Sequence, residues 1–217
     1  MKSANWAGYG LRSKEYVSAS GEWTQPAVDC SSGKEADASF WVGLDGVKSH
    51  SVEQTGTTGH CLANRATAVY YAWYEMYPDP AREAALLVRA GDRFSALVHA
   101  VSADHFDLTI KNLTTGQSFT ALGERTGVWP SSAEWVVEPA ASCQSGCATT
   151  RLAQFGDTSF SNLAAETTDG PVAFATSTAQ LLEFDLRSRK GAPLTDISAL
   201  AGDPLSFDLQ WLAAGRR

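Results

Sequence analysis

Apolar residues in this chain recur at every second position, in one stretch after another. In LSFDLQW (205–211), Leu205, Phe207, Leu209 and Trp211 alternate with Ser206, Asp208 and Gln210. LEFDL (182–186) repeats the pattern, as do FSALVHAV (94–101) and HFDLTIKN (105–112), which a short Ser-Ala-Asp connection separates. Side chains that alternate with period two belong to strands, because successive Cβ atoms of an extended chain point to opposite faces. NLTTGQ (112–117) supplies a turn between two such runs. DISALAG (196–202) has room for one helical turn, and DPAREAAL (79–86) reads as a short helix or a loop. Neither is long enough to support an α/β fold. Strands at roughly 8–12-residue spacing with Gly- and Asn-rich turns predict an all-β domain, a sandwich or a barrel. Of the 217 residues, 44% are hydrophobic, enough for a sizeable core. With no internal repeat or linker in view, residues 1–217 are expected to form one domain.

The formal charge is −7, from 24 acidic and 17 basic residues. That balance, without a run of Lys or Arg, argues against nucleic acid as a partner. Apolar runs are too short for a membrane-spanning helix. The start, MKSANWAGYG, lacks the apolar stretch of a signal peptide. The cysteines point to an oxidising compartment all the same. Cys30, Cys61, Cys143 and Cys147 form an even set that permits three disulfide connectivities. Cys143 and Cys147 flank a turn-like Gln-Ser-Gly, so the expected pairs are Cys143–Cys147 and Cys30–Cys61. A zinc site would need close Cys pairs with His partners. His60 adjoins Cys61, but Cys30 and Cys61 sit in no such pair, so no metal is expected. An extracellular monomer is the resulting expectation.

Three strands carry an unusual second face. FWVGLDG (40–46) divides into Phe40, Val42, Leu44 and Trp41, Gly43, Asp45. VYYAWYEMYP (69–78) divides into Tyr70, Ala72, Tyr74, Met76 and Tyr71, Trp73, Glu75, Tyr77. SSAEWVVEP (131–139) divides into Ala133, Trp135, Val137 and Glu134, Val136, Glu138. Any one of these alone is a half-exposed sheet face with cross-strand aromatic pairs. Three together suggest a shared concave surface lined by Trp, Tyr, Asp and Glu, suited to an extended polymer. VEQTGTTGH (52–60) reads as a strand running into a loop, with Gln54 near its start. A primary amide can hold a water through one atom and an oxyanion through another.

On NWAG, FWVGLDG, QTG, YYAWYEMYP, GDRFSALV, LTIKNLTTGQ and AEWVVE, in that order, the chain resembles the glutamic peptidases, or eqolisins. The resemblance covers most of the chain. It implies a sandwich of two curved antiparallel sheets, a lectin-like jelly roll, with a polypeptide substrate on the concave side and no cofactor. It also implies a catalytic dyad at Gln54 and Glu134, with Trp6, Trp41, Asp45, Trp73, Glu75, Tyr77 and Glu138 lining the groove. Glu134 would then be the acid–base group, and Glu138 would share its hydrogen-bond network and raise its proton affinity. Trp135 would anchor the strand from behind.

Two other classes fit a sandwich groove with tryptophans and acids. One is a glycoside hydrolase using Glu134 with Glu138 or Glu75, for which Gln54 has no task. The other is a non-catalytic carbohydrate- or peptide-binding module. A Ser-His-Asp site lacks the GxSxG signature, and His99 reads as a structural core histidine. No GxGxxG or phosphate-binding loop is present.

Overall fold

The structure, a computed structural model, describes residues 1–12, 15–127, 130–142, 148–174 and 179–215. Among them no helix forms; the alternating runs all become strands. Two sheets hold nearly all of them. The first sheet runs, from edge to edge, through Lys2–Ser3, Gln180–Leu186, Ala7–Arg12, Ser132–Glu138, Ala36–Leu44, Val52–Cys61, Ala68–Tyr77 and Arg82–Ala84. The second runs through Ser118–Glu124, His105–Asn112, Arg93–Ala100, Tyr16–Thr24, Asp157–Thr167, Phe207–Trp211 and Thr195–Ile197. All the longer strands pair antiparallel; parallel pairing is confined to two-residue pieces at Lys2–Ser3 and Arg151–Leu152.

The principal core lies between the sheets. Leu11, Phe40, Val42, Leu44, Trp135 and Val137 of the first sheet meet Trp23, Phe94, Val98, Leu108, Phe160 and Phe207 of the second. Burying this apolar area is the main favourable term in folding. Polar edges inside it are satisfied. The Trp135 indole donates to the Ser20 carbonyl at 2.7 Å, and Trp23 donates to Thr57 Oγ1 at 2.8 Å. The Cys30–Cys61 disulfide ties the loop before Ala36–Leu44 to the end of Val52–Cys61, as the sequence leads one to expect. Cys143 and Cys147 lie outside the described residues.

Four expectations need correction. Val52–Cys61 is a strand throughout, not a strand ending in a loop. Its glycines serve close packing rather than turning: a Cβ on Gly56 would lie 2.2 Å from the Phe40 carbonyl oxygen. Arg82–Ala84, in a stretch read as a short helix or a loop, and Thr195–Ile197, in one read as a helical turn, are short edge strands. His99 is exposed on the outer face of the second sheet, not in the core.

Candidate active site

The second face of the first sheet carries its own apolar cluster. Trp41, Val47, Val52, Trp73, Val136 and Phe184 are buried there, with Trp6, Tyr71 and Leu182 packed against them. Trp6 meets Trp41 and Phe184 edge-on, each at 5.2 Å between ring centroids. Phe184 and Leu182 come from Gln180–Leu186, whose alternation alone does not tell this face from the core. Sequence pattern therefore gives no sign of the wall they form.

Strand register lines up the acids and amides across this face. Glu134 and Gln54 both lie opposite Gly43, one from each side. Glu134 in turn faces Gly10, and Gln54 faces Glu75. The row therefore reads Gly10, Glu134, Gly43, Gln54, Glu75 across five strands. With neighbouring strands about 4.8 Å apart, Gln54 and Glu134 stand about 10 Å apart at the backbone. The residue between them has no side chain. An amide and a carboxyl thus flank a glycine, and the space a Cβ would take there is bounded by the Trp41 ring at 3.0 Å and Gln54 Cβ at 3.2 Å. One row along, Trp41 pairs with Val136 and Gly56, and Gly56 with Trp73. Beyond it come Glu138, Ser39, Thr58 and Tyr71.

Hydrogen bonds fix one side of Gln54. Its Nε2 donates to Glu75 Oε2, while its buried Oε1 has no partner among the described residues. Glu134 is 0% exposed, and neither of its oxygens has a hydrogen-bond partner among the described residues. Burial pushes its proton affinity well above the ordinary carboxyl range, the nearby Ser132 hydroxyl opposes that, and the carboxyls of Asp45 and Glu53 add to the rise. Glu75 is also raised by burial, against the pull of the Gln54 amide.

Asp45 lies just past the end of its strand, in a left-handed conformation with φ 66°. Its carboxylate accepts from Ser51 Oγ at 3.3 Å and Ser131 Oγ at 3.1 Å. Tyr77 sits at the rim and is 48% exposed. Trp6, Trp41, Trp73, Glu75 and Glu138 share this second face with Gln54 and Glu134. Among the described residues, Glu138 and Glu134 share no hydrogen-bond network, contrary to expectation. It accepts from the Trp41 indole at 3.0 Å and from Asn5 at 3.4 Å. Enclosure raises it to about 8, with Glu75 adding to the rise and the Trp41, Trp6 and Asn5 donors opposing it. Among the described residues, no three His, Cys, Asp or Glu side chains converge as metal ligands.

The Peptidase A4 family matches residues 4–206, nearly the whole row-bearing sheet included. The chain belongs to this family. Members of the Peptidase A4 family are glutamic peptidases, or eqolisins, and hydrolyse peptide bonds. Aspergillopepsin-2 of Aspergillus niger is 33% identical over 94% of this chain and 77% of its own length. Scytalidopepsin B of Scytalidium lignicola is 30% identical over 65% of this chain and 54% of its own length. Among solved structures, scytalido-glutamic peptidase with a transition-state analogue inhibitor superposes with a TM-score of 0.83 at 23% identity, over 96% of this chain and 98% of that one. Aspergilloglutamic peptidase from Aspergillus niger gives 0.65 at 30% identity, over 81% and 99%. The A4 peptidase family and the two-sheet architecture thus agree.

Proposed function

We propose that this eqolisin is an acid endopeptidase in which Gln54 and Glu134 activate a water molecule against a peptide bond, without a covalent intermediate. The observation that carries the reading is the row Glu134, Gly43, Gln54: two buried, incompletely partnered polar groups facing each other over a glycine. Burial of an unpaired carboxyl is costly for folding, so its retention on this face points to chemistry.

In this scheme a peptide lies over Gly43. Ionised Glu134 takes a proton from water as the water oxygen bonds to the carbonyl carbon. The Gln54 amide has one N–H committed to Glu75; the other donates to the oxygen on which negative charge develops. Its free Oε1 accepts a hydrogen bond from the attacking water. The C–N bond then breaks as Glu134 returns its proton to the leaving nitrogen. Burial raises the proton affinity of Glu134, so at acidic pH the protonated form predominates and the scheme runs through the minor ionised fraction. The proton that fraction takes from water is the one returned to the leaving nitrogen. Trp6, Trp41, Trp73 and Phe184 supply apolar walls for substrate side chains.

The peptide-based transition-state analogue bound to scytalido-glutamic peptidase and the tripeptide bound to the eqolisin SCP-B support a polypeptide substrate. A disulfide supports an extracellular setting. The test is digestion of an unfolded protein at acidic pH. Internal cleavage that persists in excess EDTA and in pepstatin is expected. Activity lost to EDTA and restored by Zn²⁺ would overturn the scheme.

A further inference from the structure

Glu53 directly precedes Gln54, so alternation turns its carboxyl to the opposite face, into the space between the sheets. Its ladder partners there are Leu44 and Met76, both members of the principal core. The side chain is 0% exposed, and neither oxygen is hydrogen-bonded among the described residues. The dyad scheme has no use for it.

The charged groups around it come from three directions. Arg125, just past Ser118–Glu124 of the facing sheet, is turned partly away. Its Nη2 donates to the Met76 carbonyl and to Asp79 Oδ2, and its buried Nε has no partner among the described residues. Asp45, at the end of the neighbouring strand, is held by Ser51 and Ser131. Glu134 lies on the other face of the same sheet and feels the Glu53 charge. A neutral carboxyl is tolerated in such surroundings, whereas an ionised one lacks the hydrogen bonds that would compensate its burial.

We propose that Glu53 is a proton-dependent positioning residue for Gln54: protonated, it closes the core beneath the strand carrying Gln54, and ionised, it loosens that strand and shuts the enzyme off. The effect on activity rests on the dyad reading; the effect on stability does not. Burial first, then Asp45, raises Glu53 from 4.5 to about 8, with the Ser51 hydroxyl and Arg125 opposing. A folded-state value above the unfolded one gives stability that is complete below about 4.5 and lost as pH rises to about 8. Over that window the unfolding equilibrium constant gains about 10³-fold from this residue alone. Glu75, Glu134 and Glu138 are raised as well, so the remaining protein keeps a slope of the same sign.

The experiment is denaturant unfolding of the full chain from pH 4 to pH 8, for the parent, Glu53→Gln and Glu53→Met. Both variants lose the titrating group, and Met also suits the apolar neighbours. Each should lose about 10³-fold less stability across the window than the parent, and each should retain activity longer on incubation at neutral pH. Curves that fall in parallel with the parent's would overturn the proposal. Should neither variant fold, the ¹³Cδ resonance of Glu53 in the parent decides. A titration near pH 8 supports the lock, and one near 4.5 overturns it. An active Glu134→Gln would break the dyad reading and leave these curves standing.

Discussion

The two ends of the site-bearing face are built from the same strands, yet they treat their polar groups in opposite ways. At the end near the disulfide, polar side chains find partners. Ser39 and Thr58 share a hydrogen bond at 2.8 Å, Trp73 donates to Thr58 at 2.9 Å, and His60 pairs with Asp37. At the other end, Glu134 and the Gln54 oxygen are buried without partners among the described residues, and so is Glu53 directly behind them on the core face. Burial alone does not separate the ends; satisfaction does. The first end is held for stability. The second keeps hydrogen-bonding capacity in reserve, which is what a site for a transient oxyanion and a proton in transit requires.

The largest effects should fall at the unsatisfied end. Glu134→Gln keeps shape and removes the titrating group, so kcat should drop at least about 10³-fold. Its unfolding midpoint at neutral pH should hold or rise, because a raised carboxyl no longer ionises on unfolding. Gln54→Ala should cost about 10²–10³ in kcat, the loss of one oxyanion donor. Steady-state kinetics beside circular dichroism checks both. If both variants kept full activity, the reserve would be unused and the face merely solvated.

At the satisfied end the response should be the reverse, in stability rather than turnover. The disulfide joins cysteines 31 residues apart. Replacing Cys30 and Cys61 by Ala should cost about 3–4 kcal/mol by the loop-entropy relation. Activity at room temperature should survive. A turnover loss as large as that of Gln54→Ala, in a protein still folded, would erase the distinction between the ends.

Glu138, in one row with Ser39 and Thr58 at the satisfied end, sharpens the contrast. Its folded-state value of about 8 exceeds the ordinary 4.5, so its contribution is full below about 4.5 and fades as pH rises toward 8. Glu138→Gln should therefore lose less stability between those limits. It should shift the pH profile of kcat/KM modestly while leaving measurable turnover. Unfolding and rate profiles that match the parent's at every pH would remove Glu138 from the electrostatics of the face.

Much of this division is legible in the amino-acid sequence. Alternation separates Trp41 and Gly43 from Phe40 and Val42, and Glu134 and Glu138 from Trp135, and the register bears out each separation. What alternation cannot carry is which residues sit side by side on adjacent strands. The alignment of Glu134 and Gln54 on Gly43 is a long-range pairing, and so is the meeting of Phe184 with Trp6. The later part of Val52–Cys61 resembles a loop in sequence because Thr and Gly are common in turns. Here Gly56 is set by a backbone passing 2.2 Å from where its Cβ would be, a constraint local sequence does not express. The short edge strands Arg82–Ala84 and Thr195–Ile197 are too brief to show a period. Glu53 is hidden from a sequence pattern because a charge on a strand suggests solvent, and its burial follows from the facing sheet.

The central claim is that Gln54 and Glu134 act as one unit on one water. A double-mutant cycle in kcat/KM at acidic pH tests it most directly. Groups that share a single step are strongly non-additive. The account predicts that Gln54→Ala combined with Glu134→Gln loses no more than several-fold beyond Glu134→Gln alone. Losses that multiply, to about 10⁵-fold or more from the two single effects, would mean two independent contributions and would contradict the dyad.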